Sequence, residues 1–189
     1  KRIAGKLRLP DPCPLSGLIV GGAATRRFET KVDPAVLYQA AKLELSGSEL
    51  DAFTLCIIAG LRRAEADMLP ISHVDLDSGI VSVRPTKFWE PKTAESVRDI
   101  PIPPDVIEHF KNRFKIERRH GMVLDGEDPA KKRHPKKYRC KCWGRLSDWL
   151  RTKGFKSQNP IHELRKLSGS LVNAIAGLEA ARRHLGHRN

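Results

Sequence analysis

Residues 73–85, HVDLDSGIVSVRP, alternate apolar and polar side chains on either side of an Asp-Ser-Gly turn. A period of two is the signature of a strand with one buried face, and Asp-Ser-Gly supplies the reversal between two such strands. Residues 96–103, SVRDIPIP, alternate again. Together the stretches predict a small antiparallel sheet, with residues 86–95 connecting its second and third strands. Everything outward from this sheet has a helical character. Upstream, DPAVLYQAAKLEL places Asp33 as cap and Pro34 in the first turn. The largely apolar SGSELDAFTLCIIAGLRRAEADML then reads as one buried helix with a polar end near Arg62. Downstream, PDVIEHFKNRFKIERRHG begins with proline and ends with glycine, as helices do. WGRLSDWLRTKGF carries Trp143, Leu146, Trp149 and Leu150 on one stripe. NPIHELRKLSGSLVNAIAG and LEAARRHLGH complete the helices. The fold class expected is α+β, mainly helical with a small antiparallel three-stranded sheet.

Residues 1–27 differ from the rest. They hold three prolines, four glycines and many charges, and read as a linker or arm from a missing upstream domain. Residues 28–189 then form one compact domain. The 189 residues carry 35 Lys and Arg against 22 Asp and Glu, a formal net charge of +13. An imbalance that large points to a polyanion, with nucleic acid first and a membrane surface second. No 18-residue apolar stretch and no signal-peptide pattern occurs, so the expected location is cytoplasmic and the four cysteines reduced. Cys140-x-Cys142 beside His134 raises zinc, but the pair is narrower than structural zinc sites use and lacks a matched second pair. The expected metal is none.

Four short features place cations at fixed spacing. In AGLRRAEADML, Glu65 lies three residues after Arg62, so the two would share a helix face and pair. A carboxylate so placed keeps the planar guanidinium aimed at a ligand oxygen. In IHELRKLSGS, His162 and Arg165 are also three apart and suit a phosphate whose charge grows in a transition state. In HLGHRN, Gly186 would end a helix in a left-handed turn, with His187 just past the stop and His184 as a less well placed rival. Lys92 sits between the predicted strands, where it could donate a proton to a leaving oxygen, with Lys87 as its rival. Each feature taken alone reads more readily as an ordinary surface pair, capping residue or solvated lysine. A fifth stretch, KKRHPKKYRCKC, packs seven Lys or Arg into residues 131–142. Lys131, Lys132, Arg133, Lys136, Lys137 and Arg139 would track a DNA backbone, or simply form a solvated loop.

Taken in order, Gly-Leu-Arg with Arg62, Lys92 before Arg-Asp-Ile-Pro, His162-x-x-Arg165 and Leu-Gly-His187 resemble the catalytic domain of the tyrosine recombinases, the phage integrase family. The resemblance covers roughly residues 28–189. It implies a site-specific recombinase that breaks and rejoins duplex DNA through a 3′-phosphotyrosine link. Arg62 and Arg165 would grip the scissile phosphate, His162 and His187 would add hydrogen bonds, Lys92 would protonate the leaving oxygen, and Glu65 would support Arg62. It implies no cofactor, and a homotetramer on DNA for the full-length protein. The fragment alone is expected to be monomeric.

The family's nucleophilic tyrosine comes about three helical turns after Leu-Gly-His. Tyr38 and Tyr138 are the two tyrosines of the sequence, and neither lies there. The nucleophile is therefore expected after residue 189, and the fragment is expected to bind DNA without cutting it. Lys166 stands where many members have a second histidine, and Arg63 doubles the first arginine, which suits a surface or phosphate contact. The competing classes are an inactive DNA-binding relic of the same family, a metal-dependent nuclease or RNA-binding domain, and a type IB topoisomerase.

Overall fold

The computed structural model describes residues 32–91, 93–115, 119–131 and 138–187; the arm proposed for residues 1–27 lies outside them. Among the described residues six α-helices and three strands follow in the order α1 (Pro34–Glu44), α2 (Gly47–Ile57), α3 (Arg63–Asp67), β1 (Val74–Asp75), β2 (Ile80–Val83), β3 (Arg98–Pro101), α4 (Pro104–Phe114), α5 (Cys142–Thr152) and α6 (Pro160–Leu185). The strands form one antiparallel sheet in the order β1-β2-β3. Val81 pairs with both Val74 and Ile100, so the alternation in residues 73–85 and 96–103 sends Val74, Val81, Val83 and Ile100 to the core. Among the described residues, no helix is long and apolar enough to cross a membrane.

The sheet sits beside a helical core built on α2. Residues 51–57 of this helix are all buried, as expected for a helix apolar on nearly every face. Phe53 stacks near Tyr38 of α1 and meets Trp149 of α5 edge-on, with ring centres 6.4 and 5.6 Å away. The predicted α5 stripe packs inward, with Trp143, Leu146 and Leu150 buried and Trp149 partly so. Asp33 caps α1, accepting hydrogen bonds from the amides of Ala35 and Val36.

Two helix boundaries differ from the sequence reading, and one break agrees with it. The long segment after residue 45 is two helices, because the chain leaves α2 after Ile57 and turns at Gly60, where φ is +57°. Arg62 therefore stands at the N-cap of α3. α4 ends at Phe114, short of Gly121. In α6, Gly177 has φ +82° and ψ 172°, which breaks the helix between the two segments read separately from the sequence.

A buried carboxylate ties the segment before α5 to α3. Asp67 is fully buried and accepts hydrogen bonds from the amides of Arg139 and Cys140, at 2.7 and 2.9 Å, and from Trp143 Nε1 at 2.9 Å. Replacing it with alanine leaves three donors without that acceptor, and buried donors so stranded cost about 1–3 kcal/mol each. Asp67→Ala should therefore lower the urea-unfolding free energy by about 3 kcal/mol or more. A loss under about 1 kcal/mol would show that water replaces the carboxylate.

Candidate active site

Arg62, His162, Arg165 and His187 line one cavity of about 430 Å³, together with Leu61, Arg63, Ala64, Tyr138, Asn159 and Ile161. The four motif residues come from the N-cap of α3, the first two turns of α6 and the residue after its C-terminal glycine. A different cavity of about 520 Å³, bordered by Ser48, Asp125 and Cys142, contains none of them.

The i,i+3 pairing of Arg62 and Glu65 is present, but its origin is the helix start and not a shared helix face. Glu65 reaches back to accept from the Arg62 amide at 2.8 Å, and its other oxygen takes Arg62 Nη1 at 2.5 Å. Arg62 also donates to Ser96 Oγ at 3.1 Å and to the Gly186 carbonyl at 3.3 Å. Glu65 is 3% exposed, so its charge depends on these partners. A further partner is Arg98 on β3, a site residue that the motif spacing alone does not mark. Arg98 Nη2 donates to Glu65 at 2.9 Å, its Nη1 to the Ser96 carbonyl at 2.8 Å and its Nε to the His184 carbonyl at 2.8 Å. Its signal in the sequence was an arginine on a strand whose neighbours alternate inward, which puts the arginine at a buried position.

Arg165 is 3% exposed and donates to the carbonyls of Gly60 and Leu185, the two places where the chain leaves a helix. It lies 3.8 Å from Glu65 and 3.5 Å from His187 Nε2. Arginine has no acceptor, so in that contact the imidazole nitrogen faces it with its lone pair. Gly186 closes α6 at φ +59°, as expected, with the His187 amide donating to the Arg182 carbonyl. His184 turns away from the cavity and bonds Ser168 Oγ at 2.9 Å. Lys87 lies over the Phe88 ring and does not line the cavity. Lys92 lies outside the described residues; its neighbour Thr93 contacts Ser96 Oγ at 3.2 Å.

The basic run needs one correction. Arg139 is 1% exposed and spends its guanidinium on the carbonyls of Leu124, Glu127 and Asp67, so it holds the fold and is not available to DNA. Lys131 is exposed, while Lys132, Arg133, Lys136 and Lys137 lie outside the described residues. Among the described residues no His, Cys, Asp and Glu side chains gather as a metal site, and His134 falls outside them.

Electrostatics follow from one carboxylate among several cations. Burial pushes the Glu65 carboxyl up, but hydrogen bonds and charge from Arg98 and Arg62 outweigh it and hold it below the usual carboxylate range. Its ionised form thus stabilises the fold above the ordinary glutamate pKa, and that contribution is lost as pH falls through the depressed value. Burial, then neighbouring Arg62, press the Arg165 guanidinium down to about 10, still charged at neutral pH. Burial lowers His162, with Lys166, Arg165 and Arg62 adding to it; burial lowers His187, with Arg165, Arg62 and Arg98 adding to it. Burial, then Arg98 and Arg165, bring His184 to about 4. These rings are neutral at pH 7, and because the unfolded chain binds their protons more readily, stability falls as pH drops below about 6.5. NMR titration should give His162 and His187 midpoints below 6.5, and a bound phosphate should raise both. Midpoints at or above the ordinary histidine value would contradict the packed cation cluster.

The family model described as the phage integrase family matches residues 31–189. A structure of the Tn1549 transposon integrase with circular intermediate DNA has a TM-score of 0.56 at 20% identity, over 85% of this chain and 60% of that one. A second Tn1549 integrase structure, with transposon right end DNA, has a TM-score of 0.54 at 19% identity, over 85% and 58%. A crystal structure of XerA recombinase has a TM-score of 0.58 at 18% identity, over 81% and 53%. At these identities the likeness is one of fold, and the chain spans less than two thirds of each of these structures. Comparison with curated protein sequences returned no match. With its small three-stranded sheet, its helical core and a family match over most of its length, the chain belongs to the phage integrase family, the tyrosine recombinases.

Proposed function

We propose that this chain is the catalytic part of a site-specific DNA recombinase that breaks and rejoins duplex DNA through a 3′-phosphotyrosine intermediate. The observation that carries this reading is the gathering of Arg62, His162, Arg165 and His187 around one cavity, with Glu65 buried among the arginines. The family match and the DNA complexes of the Tn1549 integrase support duplex DNA as the substrate.

In this mechanism a tyrosine oxygen attacks the scissile phosphorus and a 5′ sugar oxygen leaves, so a phosphotyrosine link replaces the phosphodiester. Arg62 and Arg165 face the non-bridging oxygens, where charge accumulates. Both are held beforehand by Glu65, Ser96 and backbone carbonyls, so little reorganisation accompanies the reaction. His162 and His187, neutral at pH 7, donate hydrogen bonds to the phosphate, and His162 assists removal of the nucleophile's proton. Lys92 delivers a proton to the leaving oxygen. The covalent link conserves the bond energy for rejoining.

The nucleophile in this reading is a tyrosine following residue 189, about three helical turns after His187. Tyr38 does not fit the role: its hydroxyl donates to Asp105 at 3.0 Å, and burial followed by that carboxylate pushes its pKa up. Tyr138 lies beneath the Arg63 guanidinium. Residues 1–189 alone would bind DNA without cutting it, and the full protein would act as a tetramer on two sites.

Full-length protein incubated with a nicked duplex carrying its site should form a covalent protein–DNA adduct. Arg165→Ala should reduce adduct formation about a hundredfold or more, the scale for losing a preorganised charge donor, while most DNA binding persists. Undiminished cleavage by Arg165→Ala would overturn the site assignment. Tight duplex binding by wild-type protein with no adduct would favour the inactive relic.

A further inference from the structure

The arginine that follows Arg62 has no role in the site as described, yet it borders the same cavity. Arg63 lies over the Tyr138 ring, its guanidinium carbon 3.8 Å from the ring centre. This contact is fixed by the fold at both ends. Arg63 begins α3 and Asp67 ends it. Asp67 binds the amides of Arg139 and Cys140 and the Trp143 indole, and the Tyr138 ring lies against Trp143 with centres 6.2 Å apart. The helix that presents Arg63 thereby also holds the aromatic platform beneath it.

Stacking occupies one face of a guanidinium and leaves its in-plane N–H donors free to bond. Among the described residues no carboxylate pairs with Arg63. Arg62, Arg98 and Arg165 already share the single carboxylate of Glu65. The cluster therefore carries more positive charge than one phosphodiester, with its single negative charge, neutralises. An aligned arginine without an acid beside such a cluster suits a second anion of the same kind, since guanidinium edges match phosphate oxygens.

We propose that Arg63, supported by Tyr138, holds a second DNA backbone phosphate next to the scissile one. This rests on the recombinase reading and adds a binding contact to it: Arg63 sets the register of the strand in the cavity, while Arg62 and Arg165 act on the reacting phosphate. Tyr138 is a positioning residue that keeps the Arg63 edge turned outward.

The test is the salt dependence of duplex binding by the full-length protein. Each neutralised phosphate adds about 0.9 to the slope of log affinity against log salt. Arg63→Gln should lower the slope by about that amount, and Arg63→Lys, which keeps the charge, should restore most of it. Tyr138→Phe keeps the platform and should retain the wild-type slope, whereas Tyr138→Leu should reduce it. Thermal melts identify any variant that fails to fold. A wild-type slope in folded Arg63→Gln would overturn the second-phosphate contact while leaving the recombinase reading intact. A loss of slope in Arg63→Lys equal to that in Arg63→Gln would also overturn it, because charge would not be the cause. Wild-type protein that binds no duplex DNA would overturn both readings.

Discussion

The buried carboxylate of Glu65 is the interaction on which the site depends. Three arginines from three parts of the chain meet it: Arg62 at the start of α3, Arg98 on β3 and Arg165 on α6. A carboxylate removed from water is costly unless it is paired and hydrogen-bonded. Arg62 and Arg98 supply that pairing, and the Arg62 amide completes it. The same contacts join sheet to helices, because Arg98 also binds the backbone at Ser96 and His184. An arrangement that satisfies one acid thus fixes the direction of the cations around it.

The remaining donors of those cations go to places where helices stop. Arg165 takes the carbonyls of Gly60 and Leu185, and Arg62 takes that of Gly186. Carbonyls at helix ends lack an intrahelical partner, so they are ready acceptors. Both glycines are needed for geometric reasons. Each has φ near +60°, and a Cβ on Gly60 would fall 2.7 Å from His184 Nε2, while one on Gly186 would fall 3.0 Å from the Glu95 carbonyl. The breaks in α2–α3 and after α6 are therefore part of the site. They bring backbone oxygens to arginines whose charge would otherwise be poorly compensated.

A second buried acid, Asp67, does a different job two residues later. It fixes the chain leading into α5 and places Tyr138 beneath Arg63. The neighbouring Arg139 points inward to three carbonyls. A run of basic residues in a sequence is thus not uniformly a basic surface, because a single well-satisfied guanidinium can be a core element.

The sequence by itself determined the fold class, the three-stranded sheet and the family motifs. These rest on short-range regularities: a period of two around Asp-Ser-Gly, a capped Pro34, and pairs of residues three apart. It also marked Gly186 as a helix stop and residues either side of Gly177 as separate helical stretches. Tertiary structure decided what spacing does not encode. It ended α2 at Ile57 and turned the chain at Gly60, where φ is +57° and His184 and Leu185 leave no room for a side chain. It made Arg62 an N-cap, recruited Arg98 from the sheet, withdrew Arg139 from the surface and set Arg63 on Tyr138. Apart from the local Arg62–Glu65 cap, these outcomes depend on partners distant in the sequence, and the energy of pairing a buried charge is fixed only when the fold brings those partners within reach.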